Sequence, residues 1–154
     1  DLVVDNRDNP IDDLRESNNR GQKQKGDLGV LKAQVDLFVQ GFTILAPLTE
    51  HSPFDLVAYR DGEFRRVQVK YRKLDRHGKL DIKFSTCWAD KNGTHTVPVD
   101  KNEVDLYCIF CPDTDECYYL DPKEFGSNMT LRVKTPKNNQ LKNVNFAADF
   151  RRVP

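Results

Sequence analysis

The dipeptide Asp61-Gly62 lies between two strand-like runs, Phe54–Tyr59 and Glu63–Tyr71, and it constrains the fold more tightly than any other feature of the chain. A two-residue type I′ turn needs positive φ at both central positions, and it fixes the pairing of the strands that it joins. With Asp61 and Gly62 at the turn centre, Arg60 faces Glu63 and Asp55 faces Gln68. Directly opposed residues of an antiparallel pair hold their Cβ atoms about 4.5–5.5 Å apart on one face. Lys70, two residues beyond Gln68, shares that face about 7 Å further along. Val67 and Val69 alternate onto the other face, where a core is expected.

Around this hairpin the pattern predicts one helix and several further strands. Leu28, Leu31, Val35 and Phe38 recur at three- and four-residue steps, which predicts a helix over 25–40 buried along that stripe and ended by Gly41. Phe42–Leu45 reads as a strand closed by Pro47, and Leu80–Cys87 as another, followed by a polar loop over 89–102. Val104–Cys111 and Glu116–Leu120 form a second hairpin around Pro112–Asp115. Pro122–Phe125 opens a short helix, Thr130–Val133 a strand, and Val144–Phe150 a short terminal element. The expected architecture is α/β: a central mixed sheet flanked by helices, with a β-rich C-terminal half. Residues 1–22 lack hydrophobic periodicity and are expected to be a flexible or loosely docked arm, with one helical turn at 11–16, ahead of a single domain over 23–154.

A chain of 154 residues with 31% charged side chains suits one globular domain. It has no secretory signal and no run near the roughly 18 apolar residues of a membrane span, so a cytoplasmic protein is expected. The formal net charge is zero but unevenly spread. Residues 1–19 hold six acids against two bases, so the remainder is basic by four charges. That split describes a solvated acidic leader on a mildly basic domain, and it permits a polyanion-binding face. Of the four cysteines, Cys108 and Cys111 have CxxC spacing, but they and Cys117 fall in strand-like runs rather than tight turns. Buried strand thiols are expected rather than zinc ligands or disulfides. His51, His77 and His95 have no ligand spacing.

The Asp55–Gln68–Lys70 convergence has the parts of a metal-assisted phosphodiester cutter. Asp55 offers a charged oxygen for Mg2+, Gln68 an amide oxygen, and the Val69 carbonyl a third donor. A bound ion lowers the pKa of water and neutralises phosphate charge. Lys70 is placed to orient the attacking water or to stabilise the transition state. The same three residues also fit an exposed Asp–Gln hydrogen bond beside a solvated lysine.

Resemblance separates these readings. The ordered motifs Lys25-Gly26-Asp27-Leu28-Gly29, Gly41-Phe42, Pro53-Phe54-Asp55-Leu56-Val57 and Arg66-Val67-Gln68-Val69-Lys70 resemble the PD-(D/E)XK nuclease superfamily. More narrowly they look like its group I intron-associated homing endonucleases, with archaeal Holliday-junction resolvases as more distant relatives. The match covers about 25–72 well and continues more loosely through Val104–Leu120 and Thr135–Gln140. The resemblance implies a restriction-endonuclease-like core and makes Asp55, Gln68 and Lys70 the catalytic residues. It implies Mg2+, for which Mn2+ substitutes. Gln68 in place of the acidic residue points to the intron-associated branch. The glutamate usual on the first helix is Val30 here, which cannot bind metal. Either Asp27, one turn earlier on nearly the same helix face, supplies the missing carboxylate, or the site has lost a component and cuts poorly or not at all, natively or through an inactivating change.

Two basic clusters are candidate DNA contacts. Arg72, Lys73, Arg76 and Lys79 are either a solvated turn or a phosphate-gripping edge. Lys134, Lys137, Asn138, Asn139, Gln140 and Lys142 read as a polar surface loop or a groove-reading one, because Asn and Gln pair with adenine edges and Lys with phosphates. The implied activity is site-specific hydrolysis of double-stranded DNA. One site cuts one strand, so a homo-oligomer, a dimer or a tetramer, is expected. The alternatives are a junction-selective nuclease, a nuclease fold that only binds DNA, and a metal-binding module built on the cysteines.

Overall fold

The computed structural model describes residues 21–135, 137–138 and 141–154, so residues 1–20 of the arm expected over 1–22, its helical turn at 11–16, and Asn139 and Gln140 lie outside the described residues. Helix α1 spans Gly21–Val39. The strands are β1 Thr43–Leu45, β2 Leu56–Arg60, β3 Glu63–Tyr71, β4 Lys79–Lys83, β5 Ser85–Asp90, β6 Gly93–Pro98, β7 Leu106–Cys111, β8 Glu116–Leu120, β9 Asn128–Arg132 and β10 Asn145–Phe146. Short 3-10 turns follow β8 and β10, at Pro122–Glu124 and Ala147–Phe150. The helix thus begins two residues inside the stretch expected to be an arm.

The central sheet has the order β1-β2-β3-β7-β8. It is mixed: β3 and β7 run parallel, and the other neighbours antiparallel. β7 reads Leu-Tyr-Cys-Ile-Phe-Cys and is buried along its whole length, because both faces of the sheet are covered. Leu106, Cys108 and Phe110 join Val67 and Val69 in a core beneath α1. Tyr107, Ile109 and Cys111 face a second core, with Leu80, Ile82, Met129 and Leu131 of the three-stranded sheet β10-β9-β4. A helix therefore covers one face, and a small sheet takes the place of the helix expected on the other. Cys108, Cys111 and Cys117 are buried and Cys87 is exposed; all four are free thiols.

The buried stripe of α1 corrects the expected one. Gly29, Ala33 and Leu37 face the sheet, whereas Leu31 and Phe38 are 59% and 72% exposed. Size decides this. A Cβ placed on Gly29 would already touch Val69 Cγ1 at 3.5 Å and Tyr71 Cβ at 3.8 Å, so the helix sits too close to the sheet for a branched residue at that contact. Asp36 fixes the rotation by accepting hydrogen bonds from the Tyr119 hydroxyl on β8 and from Gln40 Nε2.

The expected strand over 80–87 divides at Phe84. Its first half joins β9 as β4, and its second half continues into a β5–β6 ribbon that occupies most of the stretch expected to be a loop. The ribbon turns at Lys91-Asn92, where Asp90 Oδ1 accepts from Asn92 N at 2.7 Å.

Where β3 and β7 begin their parallel pairing, Arg66 and Asp105 are joined four ways. Asp105 Oδ2 accepts from Arg66 N at 2.8 Å and Nε at 2.9 Å, Oδ1 accepts from Nη2 at 2.9 Å, and Asp105 N donates to Arg66 O at 2.9 Å. The Arg66 side chain, with help from its backbone N–H, holds the Asp105 carboxyl below its ordinary 3.8 against the opposing effect of burial. A carboxyl depressed on folding stabilises the native state above its unfolded pKa and stops doing so as pH falls through the folded value. Urea titrations should therefore show wild-type stability falling below about pH 4 more steeply than that of Asp105→Asn, and the variant less stable at neutral pH. Equal slopes would refute the assignment.

Candidate active site

The β2–β3 turn has φ of 54° at Asp61 and 81° at Gly62, the left-handed pair that a type I′ turn requires. Arg60 pairs with Glu63 and Leu56 with Val67, so the register is the one read from the sequence. It brings Asp55 to Gln68: Gln68 Nε2 donates to Asp55 Oδ2 at 2.9 Å. Val69 N donates to the same oxygen at 2.7 Å, and Asp55 N donates to Val67 O at 2.9 Å. The carboxylate thus closes the ladder just past the end of β2, and its orientation is fixed by two donors on one oxygen. Oδ1 accepts no hydrogen bond from the described residues and is left for another partner.

The backbone decides what else can join. Arg72 N donates to Phe110 O and Asp105 N to Arg66 O, so the even-numbered residues of β3 bond toward β7. Val67 and Val69 bond toward β2, which ends at Leu56, so the Val69 carbonyl points to an unpaired edge beside Asp55. Asp55 Oδ1, the Gln68 amide oxygen and the Val69 carbonyl are the hard oxygen donors of the residues that these two hydrogen bonds join. They fit a magnesium ion, which keeps several waters and needs few protein ligands. No group of three acidic, histidine or cysteine side chains able to hold a metal exists among the described residues, so the donor set is poor in charge.

Lys70 projects on the Gln68 side of the sheet. Burial lowers its pKa below the ordinary 10.5, the Arg72 charge lowers it further, and Asp55 opposes both. Burial raises the Asp55 carboxyl above 3.8, against the Val69 N–H and the Lys70 ammonium. An acid and an amine, each disfavoured in its charged form by burial and sustained by the other, mark a half-desolvated pocket. Tyr107, the β7 neighbour of Gln68, had no signal in the sequence. Its hydroxyl is buried with no hydrogen-bond partner among the described residues, and burial pushes its pKa up to about 12.

The accessory positions make no hydrogen bond with the pair among the described residues. Val30 packs against the core under α1, and Asp27 is exposed with no hydrogen bond or ion pair to Asp55 or Gln68.

The two basic clusters meet. Arg76, Lys79, Lys134, Lys137 and Asn138 line one open cavity of about 660 Å3, together with His77, Arg132 and Thr135. Arg132 was missed because its partner Lys79 stands opposite it across β4–β9, far away in sequence. Gly78, at φ 73°, accepts from Val133 N and Lys134 N, and a Cβ there would lie 2.6 Å from Lys134 Cγ. Only glycine lets the two clusters approach this closely. Arg72 lies between the cavity and Lys70 in the chain and donates to Tyr71 O at 3.0 Å. Lys73 and Lys142 are exposed.

An acid at the end of a hairpin, an amide and a lysine two residues apart on the next strand, and a helix-backed mixed sheet together form the arrangement that the sequence reading expected of a nuclease core. Comparison agrees: the family model for PD-(D/E)XK endonucleases matches residues 20–153, and the chain belongs to that family. Among solved structures, the chain is similar to a bacterial homing endonuclease, I-Ssp6803I, with a TM-score of 0.68 and 22% identity over 84% of this chain and 88% of that one. At that identity the likeness speaks for the fold. A comparison with curated protein sequences finds no match. No helix among the described residues is long and apolar enough to cross a membrane.

Proposed function

We propose that the protein is a magnesium-dependent, site-specific endonuclease that hydrolyses phosphodiester bonds of double-stranded DNA in the cytoplasm, in the manner of a homing endonuclease. The carrying observation is the Asp55 carboxylate, held by Gln68 and Val69 with one oxygen free, within reach of the Lys70 charge. Mg2+, when bound, supplies charge neutralisation at the phosphate and a more acidic water. Asp55 Oδ1, Gln68 Oε1 and the Val69 carbonyl are the atoms that would hold the ion. Lys70 Nζ orients the attacking water, whose oxygen forms the new bond to phosphorus and gives its proton to solvent, while the bond to the departing sugar oxygen breaks and that oxygen takes a proton from solvent. The ammonium also offsets the extra negative charge of that step. Arg76, Lys79, Arg132, Lys134 and Lys137 hold the duplex by its phosphates, with Asn138 positioned among them and Arg72, Lys73 and Lys142 as further contacts.

Cutting both strands calls for two sites, and a homo-oligomer supplies them. The exposed stripe of Leu31, Val35, Phe38 and Val39 on α1 is the surface best suited to meet a second copy, since apolar side chains at that spacing lose solvent contact on pairing.

Supercoiled plasmid incubated with the protein should be nicked or linearised in Mg2+ and left intact in EDTA. A second reading, a nuclease fold that only binds DNA, is favoured by Val30 and by the lack of a three-acid cluster among the described residues. It predicts salt-dependent DNA binding with no nicking in any divalent ion, and that result would replace the first reading.

A further inference from the structure

The β5–β6 ribbon belongs to neither core. It makes no extended contact with another element of the described residues, and nearly every side chain from Thr86 to Pro98 is exposed. Isolated two-stranded hairpins are marginal in water, and this one is stiffened by its own cross-strand pairs. Trp88 stacks on His95, ring centroids 5.3 Å apart and 22° between planes, and His95 Nε2 lies 3.0 Å from Asp90 Oδ1. The two faces differ. Trp88, Asp90, His95 and Val97 crowd one of them. The other carries only small groups: Ser85, Cys87, Ala89, Thr94, Thr96 and Pro98.

We propose that this ribbon enters a groove of the DNA substrate and reads base edges with its small, hydroxyl-bearing face. The major groove is about 12 Å wide and admits a two-stranded β-ribbon, and serine and threonine hydroxyls pair with either donors or acceptors there. Ala89 and the threonine methyls suit the thymine methyl group. The ribbon's one acid, Asp90, is on the opposite face and engaged by His95 and Asn92, so no carboxylate of the ribbon faces the bases. The exposed Lys83 at the root and Lys91 at the tip suit flanking phosphates.

Its location couples this reading to the active site, and the proposal rests on the nuclease reading above. Phe84, at the root, packs edge-on against Tyr107 with centroids 4.9 Å apart, and Tyr107 is the register neighbour of Gln68. The basic cavity lies at the Lys79 end of β4 and the ribbon at the Lys83 end, separated by one five-residue strand of roughly 13 Å. The basic cavity and the ribbon therefore flank one strand, and the root of the ribbon reaches the strand next to Gln68 through the buried Phe84–Tyr107 contact.

The test is selection of bound sequences from randomised duplex DNA in EDTA, comparing the full-length protein with Thr94→Val/Thr96→Val. Valine keeps the branched shape and the strand propensity and removes only the hydroxyls. Wild type should enrich a motif, and the variant should lose preference at one contiguous block of base pairs by about tenfold or more, with the rest of the motif kept. The same motif from both proteins, or no motif from wild type, overturns the proposal. An unchanged motif together with a changed mass by light scattering would show instead that the ribbon embraces a second copy. Plasmid cleavage in Mg2+ reads the nuclease assignment independently. Cleavage with an unaltered motif removes only the ribbon's role, and a motif block lost without any cleavage removes only the catalysis.

Discussion

Asp55→Asn is expected to reduce plasmid cleavage in Mg2+ by at least about a thousandfold, roughly 4 kcal/mol of transition-state stabilisation, without lowering the melting temperature. The two halves of this prediction have one cause. Asparagine still accepts from Val69 N–H through its amide oxygen, so the ladder beyond β2 stays closed. What is lost is the charge, and folding gains nothing from that charge. Burial raises the Asp55 carboxyl above its ordinary 3.8. An acid raised on folding binds protons better in the native state, so it lowers stability progressively as pH rises through that window. Removing it should leave the protein as stable or more stable at neutral pH in EDTA, with the difference shrinking toward pH 4 and below. A group held at a cost to folding is what a functional site contains. Cleavage within about tenfold of wild type would remove Asp55 from the chemistry. A large fall in melting temperature would show that the carboxylate serves the fold.

Lys70→Met separates metal binding from chemistry. Methionine keeps the unbranched stem and removes the ammonium. Cleavage should fall by roughly a hundred- to a thousandfold, as when one stabilising donor is lost from a transition state. Affinity for Mn2+, followed by its paramagnetic signal, should stay the same or rise, because a cation beside the site opposes binding of another. Burial and Arg72 already push the Lys70 pKa down, and Asp55 counters them, so this ammonium depends on the acid it neighbours. Equal losses of cleavage and of ion affinity would assign Lys70 to holding the site together.

The parts of this molecule that were legible in its sequence were those governed by local geometry. Asp61-Gly62 fixed the register of β2 and β3, and the register alone brought Asp55 to Gln68, because a two-residue turn leaves no freedom in the pairing. The burial of β7 likewise followed from an unbroken apolar run. Two features were misread, and a third was only half visible, for definable reasons. Periodicity weighs hydrophobicity, but α1 was docked by size, so Gly29 and Ala33 went inward and Leu31, Val35 and Phe38 stayed out. The ribbon looked like a loop because a strand pair with no core under it has no apolar alternation to show. The basic cavity was visible only as two separate clusters, since the β4–β9 pairing that unites them joins distant segments. Asp27, which helix spacing offers as a substitute for the acid missing at Val30, is exposed on α1.

The account depends on a divalent ion seated between the free oxygen of Asp55 and the amide of Gln68. Crystals soaked in Mn2+ test this directly through anomalous scattering. A peak within bonding reach of Asp55 Oδ1, Gln68 Oε1 and the Val69 carbonyl, lost in Asp55→Asn crystals, is the predicted result. Saturating Mn2+ with no peak there, or a peak that survives the substitution, would contradict it.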